Sequence, residues 1–207
     1  MGDTREDMLR QLRRLGIRDE RVLAAMGSVP REAFVREADR DVAYADRALP
    51  IAEGQTISQP YVVARMTELL EVRPADRVLE VGTGSGYQAA VLAQLAREVV
   101  TVERHNSLAE TARALLARLG YANVRAIHED ASLGYPARAP YERIIVTAAA
   151  PAIDPALTAQ LTADGRLVAP VGDEEMQELI TMDREGHQER HGSVRFVPLR
   201  GRGGFRQ

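Results

Sequence analysis

The chain predicts an α/β fold: a doubly wound, mostly parallel sheet, with an antiparallel hairpin at the C-terminal edge and a helical segment at the N-terminus. Three observations predict it. From residue 77 to 171, short continuous apolar runs alternate with amphipathic stretches. Runs without polar alternation suit strands covered on both faces, as in parallel sheets. A glycine-rich bend, Gly82-Thr83-Gly84-Ser85-Gly86, follows the first of these runs. Two later apolar segments, 179–182 and 194–199, flank the polar stretch 183–193 and read as an edge hairpin.

The elements follow in order. Met8, Leu9, Leu12 and Leu15 fall at helical spacing, with Gly16 as a stop. Val22, Leu23 and Met26 mark a second short helix ending near Gly27. Residues 41–59 show no sustained period and read as an ordered loop. Helix resumes at Pro60, with Val62, Met66 and Leu69 on one face. Strands are expected at 78–81, 99–102, 124–127, 144–146 and 167–171, with helices at 85–97, 107–119 and 155–162. Ser107 and Glu110 have the spacing of a capping box, and Gly120 that of a C-terminal stop. The tail 200–207 is rich in glycine and arginine and is expected to fray. One domain spans 1–207: N-terminal helices and a loop to 59, the sheet core over 60–199, then the tail.

Composition excludes several chemistries. The 207 residues carry a formal net charge of -3 and no cysteine. Disulfides, thiolate metal sites and cysteine nucleophiles are therefore excluded. All 27 basic residues are arginine, which removes Schiff bases and a P-loop lysine. The near-neutral charge argues against a general nucleic-acid binder. No apolar run approaches the roughly 20 residues that span a bilayer, and charges interrupt residues 1–14, so a cytoplasmic protein is expected. His187 and His191 stand four apart without the H-E-x-x-H pattern, so no metal is expected there.

Strand, glycine bend, helix is the context of a nucleotide-type loop. The spacing is G-x-G-x-G, whereas dinucleotide sites prefer G-x-G-x-x-G, which disfavours a dehydrogenase. Glu80, two residues before the first glycine, lies inside an apolar strand. Two roles are open to it: a hydrogen bond to loop amides, or contact with a cationic ligand group such as an α-amine. Glu103 ends the next strand, where an acid commonly binds ribose hydroxyls; otherwise it is a solvated strand-end charge. Asp130 follows the third strand, where it is either an acceptor for an adenine amine or a turn aspartate. Three acids around this loop suggest S-adenosylmethionine, which has positive centres and no phosphate.

The segment Gly54-Gln55-Thr56-Ile57-Ser58-Gln59-Pro60 reads locally as a helix start, with Ser58 or Gln59 as cap. It is also the stretch that most resembles the protein-L-isoaspartate O-methyltransferase family. Residues 29–32 (VPRE), Phe34-Val35, Tyr44, Asp46, 48–51 (ALPI), 78–88 (VLEVGTGSGYQ), 139–151, 165–172, Gln177 and Val197-Pro198-Leu199 follow the family order over about residues 5–199. The resemblance implies a Rossmann-like S-adenosylmethionine-dependent methyltransferase fold. It implies methylation of the free carboxylate of isoaspartyl residues in damaged proteins and peptides, which initiates repair through a succinimide. It implies Ser58 as the active-site serine, with Thr56 and Ile57 beside it. It implies that these three, Glu80, Gly82, Thr83, Gly84, Ser85, Gly86, Glu103, Arg104, Asp130 and Ala131 hold the cofactor. The family has glycine on each side of the acid at 130; Glu129 and Ala131 stand there in this chain. A monomer suffices for such a site. A redirected carboxylate methyltransferase and a non-catalytic binding module remain competing readings, separable by turnover on different carboxylates.

Overall fold

The structure, a computed structural model, describes residues 4–205. Helix α1 (Arg5–Arg14) opens on a capping box. The Thr4 hydroxyl accepts from the Asp7 amide at 3.2 Å, and the Asp7 carboxylate accepts from the Thr4 amide at 3.1 Å. Helix α2 (Glu20–Ser28) is capped by Asp19 and buries Val22, Leu23 and Met26. The loop that follows holds a small antiparallel ladder, β1 (Leu49–Pro50) with β2 (Thr56–Ile57), in which Leu49 faces Ile57.

Helix α3 (Pro60–Leu70) does not take its cap from Ser58 or Gln59. Gln59 is at the N-cap, but its side chain makes no capping bond. Asp46 caps the helix instead, accepting from the Tyr61 amide at 2.7 Å. A remote carboxylate can replace a local cap because any acceptor placed on the free amides of the first turn satisfies them.

The remaining elements alternate: β3 (Arg77–Val81), α4 (Tyr87–Ala93), β4 (Glu98–Glu103), α5 (Asn106–Arg118), β5 (Val124–His128), β6 (Tyr141–Val146), α6 (Pro155–Thr158), β7 (Leu161–Gly172), β8 (Gln177–Asp183) and β9 (Gln188–Val194). The seven-stranded sheet runs β5-β4-β3-β6-β7-β8-β9. The pairs from β5 to β7 are parallel; β8 and β9 are antiparallel additions. This is the Rossmann-like order, with the chain reversing direction of growth beside β3. The crevice at such a switch point is where these sheets bind ligands.

The two faces of β3 explain the core. Val78 packs with α1–α4, joining Met8, Leu12, Leu23 and Met66, while Leu79 and Val81 face Val100, Val102, Ile144 and Val146. The N-terminal helices therefore close one face of the sheet with the same apolar contacts that bury α4. No helix among the described residues is long and apolar enough to cross a membrane.

Several expected boundaries move. The edge hairpin turns at 184–187, earlier than expected, because the polar segment 188–194 is itself the edge strand. An edge strand with one wet face tolerates charge. Residues 195–199 leave the hairpin and make single bridges instead, Pro198 pairing with Ala149. Ser107 makes no capping box: α5 starts one residue earlier on His105, and the Ser107 hydroxyl donates to Glu53 at 2.5 Å. The tail, expected to fray, folds back as far as it is described. The Phe205 amide donates to the Leu199 carbonyl and the Gly203 amide to the Ser132 hydroxyl. Arg206 and Gln207 lie outside the described residues.

Candidate active site

The glycine bend leaves β3 with Gly82, Gly84 and Gly86 at φ of 98°, 52° and 87°. The left-handed region is costly for side-chain-bearing residues, and at Gly82 the space is also closed. A Cβ there would lie 2.5 Å from the Thr147 hydroxyl oxygen, which donates to the Gly82 carbonyl at 2.6 Å. Backbone thus lines the floor of a cleft above β3. The cleft's walls are residues 54–58 on one side, Glu103 and Arg104 at the end of β4, Asp130 and Ala131 after β5, and Thr147 with Val197 and Pro198 opposite.

Of the residues named from the sequence, Thr56, Ile57, Ser58, Glu80, Gly82, Thr83, Gly84, Ser85, Glu103, Arg104, Asp130 and Ala131 all border this one cleft. Gly86 does not. It is the residue just before α4, and a Cβ there would press on Ala112 and Leu116 at 3.3 Å, so its smallness serves packing against α5.

The three acids differ in environment. Glu103 is buried and not a solvated strand-end charge. Its carboxylate accepts from the Gly84 amide at 2.9 Å and from the His105 amide at 3.0 Å. The loop-amide role open to Glu80 therefore belongs to Glu103. Glu80 is 0% exposed, and neither carboxylate oxygen has a hydrogen-bond partner among the described residues. The nearby Thr101 hydroxyl is paired with Thr83 at 2.6 Å. Burial pushes the Glu80 pKa up to about 8, opposed by Thr101 and reinforced by the Glu103 charge.

Asp130 forms a turn and more. One oxygen accepts from the Ser132 amide at 3.0 Å, and the other from the Arg202 amide at 3.2 Å. Burial raises its pKa, but these bonds and the Arg202 charge outweigh that and hold it low. Of the two departures beside it, Ala131 is buried in the cleft wall, whereas the Glu129 side chain is exposed. The extra charge thus points to solvent and only the methyl enters the site.

On the serine side, β1 and β2 hold residues 49–57 over the bend; the nearest approach of a Cβ built on Gly84 is to the Ile51 side chain at 3.7 Å. The Ser58 carbonyl accepts from Arg31 at 2.7 Å. His105 lies 3.7 Å from Glu53, and His128 bonds the Arg104 carbonyl at 3.1 Å. No histidine among the described residues hydrogen-bonds the Ser58 hydroxyl, so the arrangement is not that of an activated serine nucleophile.

The chain itself matches a known family. The model for "Protein-L-isoaspartate(D-aspartate) O-methyltransferase (PCMT)" covers residues 3–204. The chain belongs to the protein-L-isoaspartate O-methyltransferase family. Relatives of that name include one from Methanoregula boonei, 57% identical over 92% of this chain and 89% of its own length. Another, from Methanoculleus marisnigri, is 56% identical over 97% and 93%. A solved protein-L-isoaspartate O-methyltransferase superposes with a TM-score of 0.83 at 28% identity, covering 97% of this chain and 67% of its own. A Plasmodium falciparum beta-aspartate methyltransferase, solved in complex with S-adenosyl-L-homocysteine, gives 0.83 at 25% identity, covering 97% and 99%.

Methyltransferases of this family use S-adenosylmethionine, and the residues of this one fit it. The cradle is backbone, kept open where a Cβ would collide. Glu80 offers two unpaired buried oxygens to a cationic group. Among the described residues the cleft is lined by acids and hydroxyls, and of its arginines Arg104 is exposed and Arg200 is paired with Glu174 at 3.0 Å. That donor set suits an amine, a sulfonium and a ribose diol better than phosphates.

Sequence reasoning missed several wall residues of this methyltransferase: Gln88, His105, Ser132, Thr147, Ala148 and the 196–200 segment. Residues 147 and 148 follow the C-terminal end of β6, where the switch-point rule places ligands, so their position in the pattern could have found them. Phe196 to Arg200 carry no local signal. They arrive because Pro198 and Leu199 dock on Ala149, through the Ala149 amide to Val197 at 2.8 Å and the Leu199 amide to Ala149.

His187 and His191 do not converge. His187 pairs with Asp183 at 2.8 Å, and His191 shares a hydrogen bond with Thr181 at 3.0 Å. Asp183, Glu185 and His187 do come together at the hairpin turn, but they are intermediate or exposed and remote from the cleft.

Proposed function

We propose that Ser58 orients the substrate carboxylate while the glycine bend, Glu80, Glu103 and Asp130 hold the methyl donor, in the isoaspartyl O-methylation that characterises the family. The observation that carries this reading is that the 54–58 segment and the acids of β3 and β4 form walls of a single cleft. The bound cofactor supplies an electrophilic methyl group on a sulfonium.

The remaining work is positional. A side-chain carboxylate has an ordinary pKa of about 3.9, so it arrives ionised and no base is needed to activate it. One carboxylate oxygen forms the new O–C bond as the C–S bond breaks, and the electron pair stays on sulfur. No proton moves. Ser58 donates a hydrogen bond to the second carboxylate oxygen and holds the first in line with the methyl carbon. Ile57, 3% exposed, and Val63 and Met66 present an apolar wall that limits water around the meeting charges. The resulting methyl ester closes to a succinimide after release, which starts repair.

Gln59 lies between Ser58 and Pro60, and Asp46 accepts from its side chain at 3.5 Å as well as capping α3. The serine thereby sits at the fixed mouth of a helix instead of in a free loop. Within this proposal a single chain supplies every wall of the cleft, so the protein acts as a monomer. It works in the cytoplasm on damaged proteins and peptides, with no nucleic acid or membrane taking part.

The test is incubation with an isoaspartyl peptide, its aspartyl twin and cofactor carrying a labelled methyl group. Label should enter the isoaspartyl peptide alone; equal labelling of the two would remove the substrate assignment. S58A should lower turnover and leave the affinity for S-adenosylhomocysteine nearly unchanged. A collapse of that affinity would move Ser58 from the substrate to the cofactor.

A further inference from the structure

Among the described residues Arg31 is the largest wholly buried side chain, at 0% exposure, and it lies outside the cleft. Its Nε donates to the Ala43 carbonyl and its Nη2 to the Ser58 carbonyl, each at 2.7 Å. The guanidinium carbon stands 4.7 Å from the centre of the Tyr87 ring. Tyr87 is the first residue of α4, immediately after the glycine bend. One planar cation thus ties the serine segment to the 43–46 loop and to the element that carries the cofactor loop.

The serine segment is held from its other side as well. Asp46, whose charge favours the Arg31 cation, accepts from the Gln59 side chain and the Tyr61 amide. The backbone of 58–61 is therefore fixed between Arg31 and Asp46, while no described residue hydrogen-bonds the Ser58 hydroxyl. A buried guanidinium is an expensive way to fill a core, since apolar side chains of similar size do so without desolvating a charge. What it adds is direction: two donors of one rigid fork hold two carbonyls from separate segments.

We propose that Arg31 is a positioning residue for methyl transfer, fixing the Ser58 backbone so that the free hydroxyl faces the reacting carboxylate. This rests on the assignment of Ser58 to the substrate made above. Arg31 touches neither substrate nor cofactor. Its effect reaches the chemistry through one peptide group.

The experiment compares R31M, R31K, S58A and the R31M/S58A double variant in the full chain. For each it reads kcat and KM with an isoaspartyl peptide, the dissociation constant of S-adenosylhomocysteine by calorimetry, and the melting temperature. Measurements are made well below the lowest melting temperature. A misplacement on the ångström scale lowers rate by about 10²-fold, which is the expected fall in kcat for R31M. KM and the dissociation constant should each stay within about threefold, the pattern of a lost transition-state contact. R31K keeps the cation over Tyr87 but gives up the fork, so it should recover part of kcat. The double variant should be no slower than S58A alone, because both changes act through one group.

Full kcat in R31M, or additive losses in the double variant, would overturn the proposal. A parallel loss of cofactor affinity would overturn it too, assigning Arg31 to α4 instead of the serine. If R31M does not fold, R31K carries the same readouts: unchanged kcat sinks the idea and a selective fall in kcat sustains it. Normal turnover by S58A alongside a slow R31M would sink the serine's role and Arg31's action through its side chain, leaving only a hold on the segment. An impaired S58A with a normal R31M would spare the serine and sink Arg31.

Discussion

The Gly84 amide donates to the Glu103 carboxylate at 2.9 Å, across the tops of the neighbouring strands β3 and β4. The acid that borders the cleft thereby also sets the shape of the glycine bend. Its other oxygen accepts from His105 at 3.0 Å and fixes the start of α5. Replacing Glu103 by alanine removes both bonds. Hydrogen bonds to a charged group contribute about 1.5–3 kcal/mol, so E103A should weaken S-adenosylhomocysteine binding by roughly 10- to 100-fold. E103Q keeps an acceptor for Gly84 and should lose less. Calorimetry on both variants decides it; equal affinities in wild type and E103A would show that the bend holds its shape unaided.

Glu80 makes both stability and binding depend on pH. Its pKa is about 8 in the folded chain against an ordinary 4.5. The folded state binds the proton more tightly, so this group's contribution is fully present below pH 4.5. It is lost as pH rises toward 8. A cationic ligand favours the ionised form, so cofactor affinity should instead improve through that interval. Thermal melts and calorimetry between pH 6 and 9 should show opposite trends in wild type and flatter ones in E80Q. Parallel profiles for the two proteins would remove Glu80 as the cause.

Gly82 is closed by both conformation and neighbours. G82A places a Cβ against Thr147 at φ 98°, which costs about 1–3 kcal/mol for strain of this kind. Adding T147A should return the steric part and leave the conformational part. Urea unfolding of the single and double variants separates the two. Full recovery would mean that the backbone conformation itself costs little.

The buried pair Arg143–Asp76 lies 3.3 Å apart with side chains 4% and 7% exposed, at the end of the sheet away from the cleft. R143M strands the Asp76 carboxylate and should cost about 3–5 kcal/mol of stability. Turnover below the melting transition should not change, because neither residue borders the cleft. A selective loss of kcat in R143M would contradict that separation.

Much of this was written in the chain. The runs at 78–81, 99–102 and 144–146 have no polar alternation, and a strand of that kind is stable only between two covered faces. That fixes a parallel sheet with helices on both sides. The glycine bend and Glu103 follow from strand position alone, since ligands of such sheets gather where strands end. The serine segment was legible by resemblance, not by local physics: its own pattern describes a helix start, and a helix does start at Pro60.

What the chain could not show is which polar group meets which. Glu80 and Glu103 look alike in sequence, yet one is wrapped by loop amides and the other is left bare, because only the bend's three-dimensional path decides which carboxylate the Gly84 amide reaches. Asp46 replaced Ser58 and Gln59 as the cap of α3, Glu53 took the Ser107 hydroxyl, and Arg31 found the Ser58 carbonyl from 27 residues away. Hydrophobic periodicity is a local property read along one element, so the sequence by itself determined the layers and the place of the cleft. Hydrogen bonds depend on ångström distances between segments remote in the chain, and those exist only once the apolar layers have packed.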